Sequence, residues 1–337
     1  MRHQSALEAG FHMPAEWAPH SRCWMAWPTR EAIWGEHLEA ARQGYARTAR
    51  AIAEFEPVTM LTPPAFTDSA AESCGPEVEI IPWDLDDSWM RDFGPNFLKK
   101  GDELAVSVFH FNAWGRKYRK YRKDAALGHR MAEAMAIPCF TSALFMEGGG
   151  ICTDGEGTLL TTEQCILNDN RNPGLSKAEA EHELCHALGV KKVIWLPGDP
   201  HDDETDGHVD GLACFVRPGV VLAELDPNPD SERHGILMKN VQALEQATDA
   251  RGRKLEIHFI EEASEVDAAG DRFCRSYINF YIANGGIVMP AYGIPSDESA
   301  RAVVASCFPG RKIVQVDIMG VATGGGGIHC ITQQQPA

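Results

Sequence analysis

Residues 208–226, HVDGLACFVRPGVVLAELD, are two apolar, β-branched runs hinged on Arg217-Pro218-Gly219. That pattern is a β-hairpin, because the runs favour extended backbone and the proline–glycine pair reverses the chain. A helical stretch near 231–250 follows, and then the short strand LEIHFI (255–260). The same succession of hairpin, helix and strand recurs three times. Residues 96–113 (NFLKKGDELAVSVFHFNA) turn at KKGDE and precede a helix at 117–136. Residues 148–168 turn at Asp154-Gly155, with a helix near 176–188 and the strand KKVIWLPG. Residues 276–292 turn at Asn284-Gly285-Gly286, with a helix near 297–306 and the strand RKIVQVDI. The hairpins begin at 96, 148, 208 and 276, about 52, 60 and 68 residues apart.

A fifth copy is divided between distant parts of the chain. CWMAWP (23–28), a helix near 31–54 and PVTMLT (57–62) lack a hairpin partner, and GIHCIT (327–332) can supply it. Repeat arrays that close on themselves often join their two ends in this way, since closure removes exposed strand edges. The expectation is an α/β fold of five units in a ring, with residues 1–337 as a single domain. An open mixed α/β sheet is the alternative.

Composition narrows the function. The 337 residues are 44% hydrophobic, enough for a substantial core, and carry a formal charge of -17. So acidic a chain argues against a nucleic-acid or anionic-membrane partner and suits a cationic ligand. Ten cysteines without a CxxC pair form neither a disulfide framework nor a zinc ribbon, so reduced thiols are expected. There is no apolar leader at the amino terminus and no run of about 18 apolar residues. A soluble, cytoplasmic protein is expected.

Three stretches put acids or a histidine beside the hairpins. DETDGHVDG (203–211) leads into a strand on which His208 and Asp210, two apart, would share a face. WDLDDSWMRDFGP (83–95) sets aspartates around two tryptophans, and FMEGGGI (145–151) sets Glu147 ahead of glycines that permit close backbone approach. Two other motifs are weaker. HELCH (182–186) matches the HExxH zinc pattern, but Ala180, Leu184, Ala187 and Leu188 make the apolar stripe, which turns both histidines to solvent. KYRKYRK (117–123) reads as the polar face of a helix.

In the ring arrangement, Asp92, Glu147, His208, Asp210 and Cys330 all stand at the same end of their units and can converge at the centre. A thiol, an imidazole and several carboxylates make a nucleophile with an acid/base in an anionic cavity. Such a cavity suits a guanidinium, whose planar fork two carboxylates can hold with its carbon beside the sulfur. The acids should raise the pKa of the free thiol, and a bound cation should offset that.

FHMPAEWAPHSRCWMAWP (11–28), DDSWMRDFGP (86–95), EGGGICTDGEGTLLTTEQCILN (147–168), DETDGHVDG (203–211) and GGGGIHCITQQQP (324–336) together resemble the agmatine deiminase family. That family lies within the guanidine-modifying superfamily that includes the Porphyromonas-type peptidylarginine deiminases. The resemblance implies a pentein fold, a five-bladed α/β propeller with the chain ends joined in one blade. It implies hydrolysis of agmatine to N-carbamoylputrescine and ammonia, without a metal or other cofactor, in polyamine biosynthesis, and a homo-oligomer. Carried over, it makes Cys330 the nucleophile, His208 the general acid/base, Asp92 and Asp210 the guanidinium ligands, and Glu147 the partner of His208. Trp89 would pack along the substrate chain and Glu204 would meet its distal ammonium. The last glycine of GGGGI departs from the larger polar residue expected there. Deimination of free or peptidyl arginine, and non-catalytic polyamine binding, are the competing readings.

Overall fold

Gly219 takes φ +76°, and there the chain reverses: Ala213–Arg217 runs antiparallel to Val220–Leu225, with Phe215 opposite Val221. The Ser231 side chain caps the helix Glu232–Gln246 by accepting the His234 N–H at 2.9 Å. Ile236, Leu237, Val241 and Leu244 form the helix's buried side. Glu256–Glu261 then returns parallel to Val220–Leu225. The computed structural model describes residues 4–266 and 272–337.

The unit recurs as the spacing implied. Asn96–Lys100, Glu103–His110 and Cys139–Phe145 form one sheet; Cys152–Thr153, Thr158–Thr162 and Lys192–Leu196 a second; Tyr281–Ala283, Gly286–Ala291 and Lys312–Asp317 another. In each, the first pair is antiparallel and the second is parallel across a helix. The last sheet joins the two ends of the chain: His20–Ala26 pairs antiparallel with Thr332–Pro336 and parallel with Val58–Thr62. The chain is thus an α/β fold of five mixed sheets.

Three expectations need correction. The closing strand is Thr332–Pro336, not 327–332, so Cys330 stands in the turn that leads into it. That turn is tied by the Thr332 hydroxyl, which donates to the Ile328 carbonyl at 2.8 Å. The terminal sheet has a fourth strand, Val78–Pro82, parallel to Val58–Thr62 at the edge. The helix expected over 117–136 is only Leu127–Met135, preceded by the single turn Arg122–Ala125. Just ahead of the expected helix, Ala113, Trp114 and Arg116 take φ of 57°, 52° and 67°, left-handed values that bring Trp114 inward.

Candidate active site

The first strand of every unit is preceded by a short turn, and each turn carries a polar side chain into one shared site. Asp92 lies in the helical turn Met90–Phe93 ahead of Asn96–Lys100. Glu147 precedes the 3-10 turn Gly148–Gly150 ahead of Cys152. His208 caps, and Asp210 lies within, the 3-10 turn Val209–Gly211 ahead of Ala213, so the expected strand alternation is not what aligns them. Cys330 precedes Thr332. The remaining unit supplies Asn279, just ahead of Tyr281.

Gly149 shows how tightly three of these groups meet. A Cβ there would lie 2.6 Å from His208 Nδ1, 2.8 Å from Asp92 Oδ1 and 3.0 Å from Asp210 Oδ2. Only glycine fits.

The Cys330 Sγ is 3.6 Å from Asp210 Oδ2. The Asn279 side chain brackets the cysteine, with Nδ2 donating to Sγ at 3.2 Å and Oδ1 accepting the Cys330 N–H at 3.2 Å. Burial, followed by the Asp210 and Asp92 charges, pushes the thiol well above its ordinary range. Asp92 accepts from Trp114 Nε1 at 2.9 Å and from the Gly149 N–H at 3.1 Å. Burial raises its carboxyl to about 6, opposed by His208 and reinforced by Asp210 and Glu147.

His208 Nε2 is 3.1 Å from Glu147 Oε2, and its Nδ1 is 3.8 Å from Asp92 Oδ1 without another partner. Burial disfavours an imidazolium, but Asp92, Cys165 and Glu147 together raise the ring well above its ordinary value. Glu147 is completely buried and accepts from Arg171 Nε at 2.9 Å and Nη2 at 3.2 Å. Burial alone would raise its carboxyl; Arg171 and His208 overcome that and hold it at about 2.

A pocket of about 310 Å³, its open mouth included, is lined by Trp89, Asp92, Trp114, Tyr118, Glu204 and Cys330 among others. Trp89 is stacked on Trp34 with ring centroids 5.3 Å apart. The glycines of 324–326 form the facing wall, and a Cβ on Gly326 would meet Trp89 Cζ3 at 2.4 Å and Cys330 Cβ at 3.1 Å. Glu204 stands at this pocket already engaged, accepting from the Tyr118 hydroxyl at 2.9 Å with Arg272 Nε 3.6 Å away. Tyr118 comes from the basic stretch expected on a helix; it lies instead in the irregular segment that borders the pocket.

Among the described residues, Glu147, Cys165 and His208 are the one trio whose ligand atoms lie close enough, within 4.8 Å, to hold a metal ion. Both Glu147 oxygens already carry the Arg171 guanidinium, and a dication would have to share the carboxylate with it. His182 and His186 sit on the outer side of Lys177–Leu188, whose buried residues are Ala180, Leu184, Ala187 and Leu188 as the periodicity indicated.

Sequence reasoning missed Asn279, Arg171 and Trp114. The first had a signal: the unit at 276–292 was the one without a polar residue assigned ahead of its first strand. Arg171 had a fainter one, a lone cation in NDNRNPG (168–174), which an axial glutamate required. Nothing marked Trp114.

The fold is an α/β fold that solved structures share. It superposes on the DDAH of Pseudomonas aeruginosa with a TM-score of 0.53 at 13% identity, covering 94% of this chain and 99% of that one. Residues 12–336 match the Porphyromonas-type peptidyl-arginine deiminase family, and the chain belongs to it. Within that family it is 38% identical over 360 residues to the agmatine deiminase of Pseudomonas fluorescens, covering 99% of this chain and 98% of the relative. It also superposes on the agmatine deiminase of Enterococcus faecalis with a TM-score of 0.95 at 33% identity, covering 100% of this chain and 98% of that one. No helix of the described residues is long and apolar enough to cross a membrane.

Proposed function

We propose that this chain is an agmatine deiminase, hydrolysing agmatine to N-carbamoylputrescine and ammonia through a covalent adduct on Cys330. The observation that carries the reading is that Cys330, which lines one pocket with Asp92 and Trp89, has its Sγ 3.6 Å from the Asp210 carboxylate. Two carboxylates beside a sulfur match a flat cation with an electrophilic carbon.

Agmatine enters with its guanidinium between Asp92 and Asp210, its methylene chain along Trp89 and its ammonium toward Glu204, which exchanges Arg272 for the substrate. The incoming positive charge offsets the carboxylates, so the thiol loses its proton to solvent as the substrate seats. Cys330 Sγ bonds to the guanidinium carbon; the C–N bond to an NH₂ group breaks, and that nitrogen leaves as ammonia with a proton from His208. Water then adds to the thiouronium carbon, neutral His208 takes its proton, and the C–S bond breaks to release the urea and the thiolate. Glu147, anchored by Arg171, orients the imidazole through both steps. Asn279 holds the sulfur in line.

The five units work as one domain closed into a five-bladed ring. Hydrogen bonds that pass from each unit to the next support this. They run from Gln333 Nε2 to the Pro95 carbonyl (3.0 Å), from the Gly149 N–H to Asp92 (3.1 Å), and from the Phe215 N–H to Cys152 Sγ (3.4 Å). Asn279 Nδ2 to the Asp210 carbonyl (3.3 Å) and the His329 N–H to the Asn279 carbonyl (3.1 Å) complete the circuit.

The test is to offer agmatine, free arginine and an arginyl peptide side by side and assay ammonia. Agmatine should be preferred and its turnover lost in Cys330→Ser. Arg91, the cation that could have greeted an arginine carboxylate, is buried and directed to Glu16 and the His329 carbonyl. Equal turnover of arginine would overturn the substrate assignment, and turnover surviving Cys330→Ser would overturn the covalent step.

A further inference from the structure

Among the described residues the mechanism leaves two buried histidines without a task, His20, which is held by Glu56 and the Glu16 carbonyl, and His329, which alone of the two meets a residue of the site. His329, 6% exposed, places Nδ1 2.9 Å from Asp210 Oδ2 and Nε2 2.9 Å and 3.2 Å from the two Glu16 oxygens. A neutral imidazole has one N–H and one lone pair, so it would turn that lone pair against a carboxylate on one side. With both carboxylates ionised, both contacts become hydrogen bonds only when both nitrogens carry protons.

The groups facing this ring come from several elements. Glu16 precedes His20–Ala26 and Asp210 lies in Val209–Gly211. Arg91, in Met90–Phe93, donates from Nε to the His329 carbonyl at 3.3 Å and reaches Glu16 with Nη1 at 3.5 Å. Cys330 follows in the chain, and the Cys152 and Cys214 thiols border the same cavity of about 300 Å³ beneath Asp210. The other cavity walls are apolar. Charges therefore alternate from Arg91 through Glu16 and His329 to Asp210. Among the described residues, His329 is the sole cationic side chain hydrogen-bonded to the Asp210 carboxylate.

We propose that His329 is a positioning residue, an imidazolium that binds Oδ2 of Asp210, leaves its other oxygen for the guanidinium, and keeps that carboxylate ionised beside an un-ionised thiol. This rests on the reading of Asp210 as a guanidinium ligand. The balance of charges agrees: burial and Arg91 oppose the His329 cation, yet Glu16 and Asp210 raise it, while Glu16 is held at about 2 and Asp210 below the usual carboxylate range. Without the imidazolium, Asp210 would share its buried site with Asp92 and have no cation in contact, and it would take up a proton as pH falls.

The experiment combines nitrogen-15 histidine NMR of the full chain with agmatine kinetics of His329→Asn from pH 6 to pH 9. A resonance pair absent from the variant should show both ring nitrogens protonated in the wild type through pH 8. The variant's KM should be about tenfold above wild type at pH 6 and approach it by pH 8.5, with kcat changed less. A neutral ring in the wild type at pH 7, its proton on Glu16 or Asp210, overturns the proposal, and so does a variant KM profile parallel to the wild type. If His329→Asn does not fold, Glu16→Gln serves: it should lower the pH at which His329 loses its second proton, and an unmoved titration counts against the network. Asp210→Asn separates the two readings. If it leaves agmatine KM unchanged, the guanidinium assignment fails, while the NMR result still decides the charge on His329.

Discussion

Cys330 Sγ and Asp210 Oδ2 lie 3.6 Å apart, a buried thiol facing a carboxylate whose charge adds to burial in opposing its ionisation. In the free enzyme the thiol should resist alkylation at neutral pH. Iodoacetamide inactivation followed against pH should show a midpoint well above 9, moving down when a guanidinium ligand that leaves the sulfur accessible is bound. Asp210→Asn should speed ligand-free inactivation at pH 8 by about tenfold, since one repelling charge is gone. Superimposable profiles with and without ligand would end the idea of substrate-assisted ionisation.

Asp92 sets a conflict between activity and stability. Its carboxyl is raised to about 6 chiefly by burial, so the folded state binds this proton more tightly than the unfolded chain does. The stabilisation is complete below the ordinary carboxylate pKa near 3.8 and is lost as pH rises through about 6. Asp92→Asn should therefore be more stable than wild type at pH 8, by about 1–3 kcal/mol, and by only about half as much at pH 5, where part of the stabilisation remains. It should be inactive at both. Thermal melts at the two pH values decide; a variant less stable at pH 8 contradicts the assigned cause.

Arg171 and Glu147 are a buried pair, in which the arginine also bonds Asp206, Asn170 and the Thr205 carbonyl and the glutamate also meets His208. Arg171→Met should cost about 3–5 kcal/mol because it leaves a buried carboxylate uncompensated. Arg171→Met with Glu147→Gln should recover most of that in denaturant titrations and recover no activity, since His208 would still lack its anionic partner. A double variant no more stable than the single would show that Arg171 stabilises the fold through Asp206 and packing and not through Glu147.

Gly326 is confined between Trp89 and Cys330. Even Gly326→Ala puts a methyl against the indole, and we expect kcat/KM for agmatine to fall about 100-fold, with the far-ultraviolet spectrum unchanged. Gly326→Val should be worse and, contrary to a wall that only folds over substrate, should also lower the melting temperature by displacing Trp89 from Trp34. Kinetics equal to wild type would make this glycine a mere spacer.

The repeat was legible because its punctuation is local. Arg217-Pro218-Gly219 and Asn284-Gly285-Gly286 announce reversals whatever surrounds them, and the helix at Lys177–Leu188 carries its own apolar stripe. The misplaced pieces depend on distant partners. Thr332–Pro336 is a strand because His20–Ala26 receives it, although TQQQP itself has little strand character. Trp114 is turned inward by left-handed backbone, which buried Asp92 repays with a hydrogen bond, and no periodicity encodes that. Cys330, His208, Asp92, Asp210 and Glu147 could be named because acids and nucleophiles beside strand starts are rare. Asn279 and Arg171 serve those five and became visible only once the five stood together.

Because each of the five sheets lends at least one side chain to a single cluster, turnover is a readout of whole-molecule integrity. No excised half carries the complete site, and a chain cut at an exposed bend such as 250–253 would stay silent until its pieces reassociate. The same dependence makes ammonia release a sensitive gauge of local fraying, able to fall before any spectroscopic sign that the sheets have come apart.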